Sequence, residues 1–408
     1  MGAHLRIDPR MPRTFRRLLA ATWSSNLGDG VRNAALPLIA ASLTTSAATV
    51  TAVIAATTLP FALFGVLAGT LADRRARVPL IVRAHLFRAV VMAGLALLLA
   101  ADEMTVAVLI AGAFLLGCGE AVADSAAPAL VPSLVDDAEL ERANGELETA
   151  ELVANDLVGP PTGSLLFAAA AAAPFAVDAA SFLGAAALVG SVDTEEQHVA
   201  QAGTTSWRED LREGISTSWH NHVLRTTGAL IVVLQIGNLA AIAPIVLYVT
   251  GRLGLEPAAY GLFLAVGSFG GIAGSRLAGP AVRRIGPFAT LITSIAVAAV
   301  AFLLMAIPNT ITVGIGFAVT FGAVVIGRIV VVTVRQRSVP SRLLGRAQGA
   351  IRTLVWGAAS VGALIGGALT DSVSDQAPFL LAGGLYVGVV VFGWRPLRRA
   401  LAPAPRPR

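Results

Sequence analysis

The chain contains no lysine: all 30 of its basic residues are arginine. Chemistry that needs an ε-amino group is thereby excluded, including a phosphate-cradling loop closed by Gly-Lys and a Schiff-base lysine. Nucleotide hydrolysis is not expected, which leaves an ion gradient as the energy source. Cysteine occurs once, as Cys118, so no intrachain disulfide can form. The five histidines, His4, His85, His198, His220 and His222, make neither a His-Glu-x-x-His pair nor a metal-ligand cluster. No serine has the Gly-x-Ser-x-Gly setting of a nucleophile elbow. An enzyme, a metal and a cofactor are therefore not expected. Charge is scarce as well: 13% of the 408 residues are charged and 55% are hydrophobic. That leaves too little polar surface to coat a soluble globule of this size, and lipid is the expected solvent.

What the chain has instead is long apolar runs. A spanning helix needs roughly 20 apolar residues to cross a ~30 Å hydrocarbon core. Spans are expected over 16–43, 49–72, 80–100, 104–131, 144–169, 173–191, 223–249, 257–282, 288–307, 310–334, 345–370 and 376–394. The first is too long, and too poor in a small-residue cleavage site, for a removable signal peptide. The arginines mark topology rather than a nucleic-acid surface. Arg6, Arg10, Arg13, Arg16 and Arg17 precede the first span, and Arg74, Arg75 and Arg77 follow the second. Arg335, Arg337, Arg342 and Arg346 lie between the tenth and eleventh, and Arg395, Arg398, Arg399, Arg406 and Arg408 follow the last. Among the opposite loops only Arg252 is basic. By the positive-inside rule both termini are cytoplasmic. A Lys-free, Arg- and Ala-rich chain fits a high-GC bacterial genome and an inner-membrane location.

The polar interval near 192–222 divides the chain into an N-terminal six-helix bundle (1–195), a cytoplasmic linker (196–222) and a C-terminal six-helix bundle (223–408). Within the linker, Trp207, Leu211, Ile215 and Trp219 recur four apart. They give an amphipathic helix that lies on the membrane surface or docks on the protein's own cytoplasmic face. The halves repeat weakly. Val131-Pro-Ser precedes the fifth span and Val339-Pro-Ser the eleventh, while GPPTGSLL (159–166) matches GALIGGAL (362–369). Parallel repeats of six spans put a substrate site between the halves, near the bilayer midplane.

The loop after the second span reads GTLADRRARVPL (69–80). It resembles the cytoplasmic signature loop of the major facilitator superfamily, Gly-x-x-x-Asp-Arg-x-Gly-Arg-Arg, at Gly69, Asp73, Arg74 and Arg77, and departs from it at Ala76 and Val78. The resemblance implies an all-α polytopic fold of twelve transmembrane helices in two pseudo-symmetric bundles, with this loop as a conformational latch. A contact of Asp73 with a helix N-terminus or an Arg is worth about 0.3–2 kcal/mol, enough to bias two states without locking either. The equivalent loop GPAVRRIGP (279–287) has Arg283 in place of the Asp. In the fifth span Gly159, Pro160 and Gly163 resemble the Gly-Pro-x-x-Gly-Gly motif of the superfamily's drug:proton antiporters; a generic kink-and-pack motif is the alternative. NLGDG (26–30), PFAVDAASF (174–182) and SWHNHVLRTTG (218–228) are similar to the branch holding macrolide-efflux, enterobactin-exporter-like and mycobacterial multidrug-efflux proteins.

A charge near the bilayer centre costs at least ~2.5 kcal/mol and should face a cavity or a partner. Asp29 lies well inside the first span, with Arg32 and Asn33 three and four residues on and Asn26 one turn back. Asp29 and Arg32 form a structural pair, or Asp29 is a protonation site for which Arg32 and substrate compete. Glu120 and Asp124 share a face of the fourth span. In the superfamily fold the first, fourth, seventh and tenth helices line the cavity, which implies that Glu120 faces Asp29. The Arg usual in the fourth span of proton-coupled relatives is absent, which shifts weight to Asp29 and Glu120. Asp156 is a third coupling candidate or an Arg partner. Asp178, opening the sixth span, is expected to cap its helix. Gln235, Asn238 and Arg328 complete a polar ring, unless Arg328 only snorkels. With 16 Phe against three Tyr, the cavity suits a small amphipathic or hydrophobic organic solute. The function expected is a proton-coupled exporter of drugs or secondary metabolites, monomeric and working by alternating access. A narrow-specificity siderophore or metabolite exporter, or a transport-dead membrane sensor, is the alternative.

Overall fold

Among the described residues, 11–193, 216, 219–338 and 341–401 of a computed structural model, regular structure is helical and no strand occurs. The helices are α1 (Arg13–Leu43), α2 (Ala47–Arg74), α3 (Arg77–Ala100), α4 (Val106–Leu130), α5 (Leu140–Ala150), α6 (Gly159–Ala169) and α7 (Ala173–Gly190). After the linker come α8 (His222–Ile242), α9 (Ile245–Leu247), α10 (Pro257–Met305), α11 (Thr310–Ser338), α12 (Ser341–Ser372), α13 (Ala377–Phe392) and α14 (Trp394–Ala400).

Eight of these segments are long and apolar enough to cross a membrane, and a ninth if the bent pair α13 and α14 counts as one span. Twelve crossings follow once three features are read physically. α10 has 49 residues, about 73 Å at helical rise, and crosses twice. Its two parts meet at Gly286, where φ is 81° and ψ 163°, a conformation glycine alone adopts freely, and Pro287 follows directly. α1 loses hydropathy to Arg16, Arg17, Asp29 and Arg32 but is 31 residues long. The fifth crossing is interrupted: α5 passes into a π-helical stretch, Glu151–Val158, before α6 opens on Gly159-Pro160-Pro161. The irregularity expected at the Gly-Pro pair therefore starts two turns earlier, where the freed carbonyls of a wider helix can be taken up by neighbours.

Unit 1 comprises Met1–Ile39, Phe64–Thr205 and Pro257–Leu262. α3 packs along α4 and α7. One end of this unit is closed by an apolar cluster in which Phe15, Leu18 and Leu19 of α1 meet Ile81, Leu130, Val131 and Val189. Close approach is made by small residues. A Cβ on Gly159 would stand 2.5 Å from the Cα of Gly30, and one on Gly163 would collide with the Val31 carbonyl. α6 and α1 thus cross at backbone contact.

Unit 2 comprises Ala40–Leu63, Ser206–Glu256 and Phe263–Arg408. α8 packs along α12 and α13. A Cβ on Gly362 would stand 2.5 Å from the Ile236 carbonyl, and one on Gly366 would collide with that of Ala240. The two glycines that match Gly159 and Gly163 in sequence therefore do the same work on the helix that opens the second half. At the start of α2, the Asp371 carboxylate from α12 accepts hydrogen bonds from the Ala47 N–H (2.7 Å), the Ala48 N–H (2.9 Å) and the Ser46 hydroxyl (2.8 Å). It adds acceptors for the first two N–H groups of α2, while the Ser46 hydroxyl caps the helix from its own sequence by accepting from the Thr49 N–H (3.3 Å).

The linker helix expected over 207–221 lies largely outside the described residues. Within it Ser216, Trp219 and His220 are helical and Trp219 is exposed. Asn221 caps α8, accepting from the N–H groups of Val223 and Leu224.

Candidate functional site

Unit 1 gathers ionic side chains from four helices. α1 places Asp29 and Arg32 one turn apart, and their groups meet at 2.9 Å. α4 contributes Glu120, whose Oε2 lies 2.9 Å from an Arg32 nitrogen. α3 contributes Arg88, whose Nη2 lies 2.5 Å from Asp29 and 3.3 Å from Glu120. Each carboxylate thus bridges both guanidinium groups. α7 adds Asp178, whose side chain is 0% exposed and lies within electrostatic range of Arg32, Asp29 and Arg88.

Small residues make the room. A Cβ on Gly119 would stand 2.7 Å from the Arg88 stem, and Gly28 sits directly against Ser181 and Asp178. The Arg88 guanidinium also lies 4.0 Å from the centroid of Phe182, a cation–π contact that holds the charge with little water. His85, one turn back, stacks on the same ring. Both arginines are almost fully buried, Arg88 at 2% exposure. Several polar atoms of the cluster have no hydrogen-bond partner among the described residues: Nε and Nη1 of Arg32, Nε of Arg88 and Oδ2 of Asp178. Two cations face three carboxyl groups, so the cluster holds one more acidic than basic side chain.

The sequence pointed to Asp29, Arg32 and Glu120, and these do come together. Arg88 and Asp178 were missed. The signal for Arg88 was its place well inside the apolar stretch 80–100. Asp178 does not cap its helix as expected. α7 opens after Ala172, and the Asp178 carboxyl turns inward onto α1 because Gly28 leaves the space there. Asp156 takes part in none of the four cluster ion pairs and is exposed on the π-helical stretch. Asp124 is exposed one turn beyond Glu120. Asn33 bonds Asn155 at 3.0 Å, tying α1 to that stretch, whereas Asn26 donates to the Thr22 carbonyl of its own helix. Of the loop residues, Gly69 is half-buried on α2, Arg74 is exposed, and Arg77 is half-buried at the start of α3. The Asp73 side chain lies outside the described residues.

Gln235, Asn238 and Arg328 do share one space. They line a cavity of about 680 Å³ within unit 2, together with Arg335, Arg352 and many Leu, Ile and Val side chains.

Twelve crossings with charged side chains buried among them define a polytopic membrane protein. The Major Facilitator Superfamily model matches residues 18–361 and again 228–408, and the chain belongs to that superfamily. No curated protein matches the sequence. Among solved structures the chain is similar to the nucleoside transporter NupG (12% identity, covering 94% of this chain and 100% of that one, TM-score 0.78). It is also similar to the human organic anion transporter MFSD10 (TETRAN), at 15% identity over 94% and 99% with a TM-score of 0.66. A bacterial homologue of the iron transporter ferroportin, in an inward-facing state, matches at 16% identity over 96% and 99%, TM-score 0.69. At these identities the likeness concerns the fold alone.

Proposed function

We propose that the chain is a proton-coupled exporter, exchanging protons for a small organic solute by alternating access in a cytoplasmic membrane, with both termini cytoplasmic. The observation that carries the coupling is the buried cluster of Asp29, Arg32, Arg88, Glu120 and Asp178. Two guanidinium groups shared between two carboxylates, with a third carboxyl beside them, form a unit whose packing depends on its charge. A proton arriving at Asp29 removes the anion that holds Arg32 and Arg88 together. Both arginines then rely on Glu120 and Asp178, which pulls on α1, α3, α4 and α7 at once. Loss of the proton restores the bridge. Such a two-state element is what a gradient needs in order to drive a conformational cycle, and the electrical part of the gradient supplies about 2.3 kcal/mol per charge per 100 mV.

Export rather than import is favoured by the resemblance of Gly159, Pro160 and Gly163 to the antiporter motif, and the backbone-tight crossing of α6 on α1 is consistent with a motif that constrains helix packing. The loop residues Gly69, Asp73, Arg74 and Arg77 are assigned the latch role. The monomer is taken as the working unit.

The reading is tested in everted membrane vesicles, acidified inside, to which macrolides, tetracyclines, dyes and siderophores are added. Substrate-triggered proton release that Asp29→Asn abolishes is the expected result. Release unaffected by Asp29→Asn, Glu120→Gln and Asp178→Asn alike would move coupling elsewhere. Release with no compound, while those compounds are still carried, would remove proton exchange from the account.

A further inference from the structure

The two units treat their arginines in opposite ways. In unit 1 both guanidinium groups are shared between carboxylates. In unit 2 the cavity of about 680 Å³ is lined by Arg328, Arg335 and Arg352, and no Asp or Glu is among the described residues lining it. Arg335 is 2% exposed, so it cannot snorkel to water. Its Nε donates to the Thr227 hydroxyl at 2.8 Å, which fixes the guanidinium plane, and its buried Nη2 has no hydrogen-bond partner among the described residues. Seven residues back along α11, Arg328 is on the same side of the helix and opens onto the same space. No carboxylate among the described residues pairs with either. Gln235 and Asn238 of α8 add neutral donors and acceptors, and the remaining wall is chiefly Leu, Ile and Val.

A buried guanidinium with a free, fixed donor is unfavourable unless a counter-ion arrives. We propose that the counter-ion is the substrate's own: the cavity of unit 2 binds an amphipathic organic anion, its carboxylate, sulfonate or catecholate-type oxygens on Arg335 and Arg328 and its apolar body against α8 and α10. The planar fork of Arg suits such oxygens, and charge-assisted hydrogen bonds in a dry site are the strong ones. The inference rests on the transporter reading above and names its substrate class. It sets aside the cationic drugs, for which three arginines with no carboxylate among the described lining residues make an unfavourable wall.

The test is equilibrium dialysis of the purified full-length protein in nanodiscs, with empty nanodiscs as the partition control and no ion gradient. The probes are cholate, its uncharged methyl ester, and an amine analogue of the same steroid, each below its micellar concentration. Cholate is expected to bind saturably and at least about tenfold more tightly than the ester or the amine. That preference should fall to near unity in Arg335→Gln and be reduced in Arg328→Gln, and Arg335→Lys should retain part of it. Arg328 is exposed, so its variant keeps the test valid if Arg335→Gln does not fold. Binding that is equal for all three probes, stronger for the amine, indifferent to both arginines, or absent for all would overturn the proposal. Because no gradient is present, saturable anion binding without any proton release in vesicles would count against proton coupling and leave this inference standing.

Discussion

Asp29 and Glu120 are each ion-paired with both Arg32 and Arg88, so removing one cation leaves two carboxylates short of a partner. Arg88→Gln is expected to destabilise the protein by about 3–5 kcal/mol, the cost of stranding buried charge, read as a lower unfolding temperature in detergent. Adding Glu120→Gln to Arg88→Gln should recover part of that loss, so that the double change costs less than the two single changes summed; strict additivity would show that the pair does not interact. Arg88→Lys should not substitute, because one compact ammonium cannot also lie flat on Phe182. Part of this was legible in the residues. Asp29 and Arg32 are one helical turn apart, and Glu120 lies deep in an apolar stretch. Arg88 was equally visible as a charge in a span, but nothing in the sequence said that α3 would turn it toward α1 rather than toward lipid. Asp178 was misread because five residues from a helix start looks like a terminus. Only the packing of Gly28 against α7 shows that the side chain points inward.

Between elements, backbone-to-backbone crossings decide what the helices tolerate. Gly163→Val and Gly366→Val are each expected to cost about 1–3 kcal/mol, since each new side chain meets a carbonyl rather than a flexible neighbour. Gly388→Ala, with nothing within 4 Å of the new methyl, should be neutral in the same thermal assay. Equal effects at all three positions would argue that helix propensity and not contact governs the response. The paired behaviour of Gly163 and Gly366 was readable from the match between GPPTGSLL and GALIGGAL. The π-helical stretch Glu151–Val158 was not, because nothing in its residue types separates a wide turn from an ordinary one. The long-range part of the α2 cap was hidden for a related reason: Asp371 is more than 300 residues from the N–H groups it serves. Asp371→Ala should cost about 0.5–2 kcal/mol, read in the same thermal assay, because Ser46 serves the Thr49 N–H and leaves those of Ala47 and Ala48 to Asp371.

For the whole molecule, apolar length and arginine placement already specified a twelve-span chain, and the superfamily match bears out that class. Orientation is the property those arginines bear on most directly. In a Cys118→Ala background, a membrane-impermeant thiol reagent applied to intact cells is expected to label a cysteine placed at Asn309 and to spare one placed at Arg75. Labelling of the second and not the first would invert the topology. What composition left open is how charge is shared out: a cluster of three carboxyls and two arginines in unit 1, and in unit 2 a cavity lined by arginines with no carboxylate among the described residues. Proton coupling as proposed requires that the first of these gain and lose one proton as a unit. The most direct measurement is infrared difference spectroscopy of the purified protein between acid and alkaline buffer, following the carboxylic-acid carbonyl band in the wild type and in Asp29→Asn, Glu120→Gln and Asp178→Asn. If the three carboxyls share one proton, a band titrates in the wild type and is lost or shifted in each of the three variants. A band that none of the three alters, or three bands that vanish independently one per variant, would contradict it.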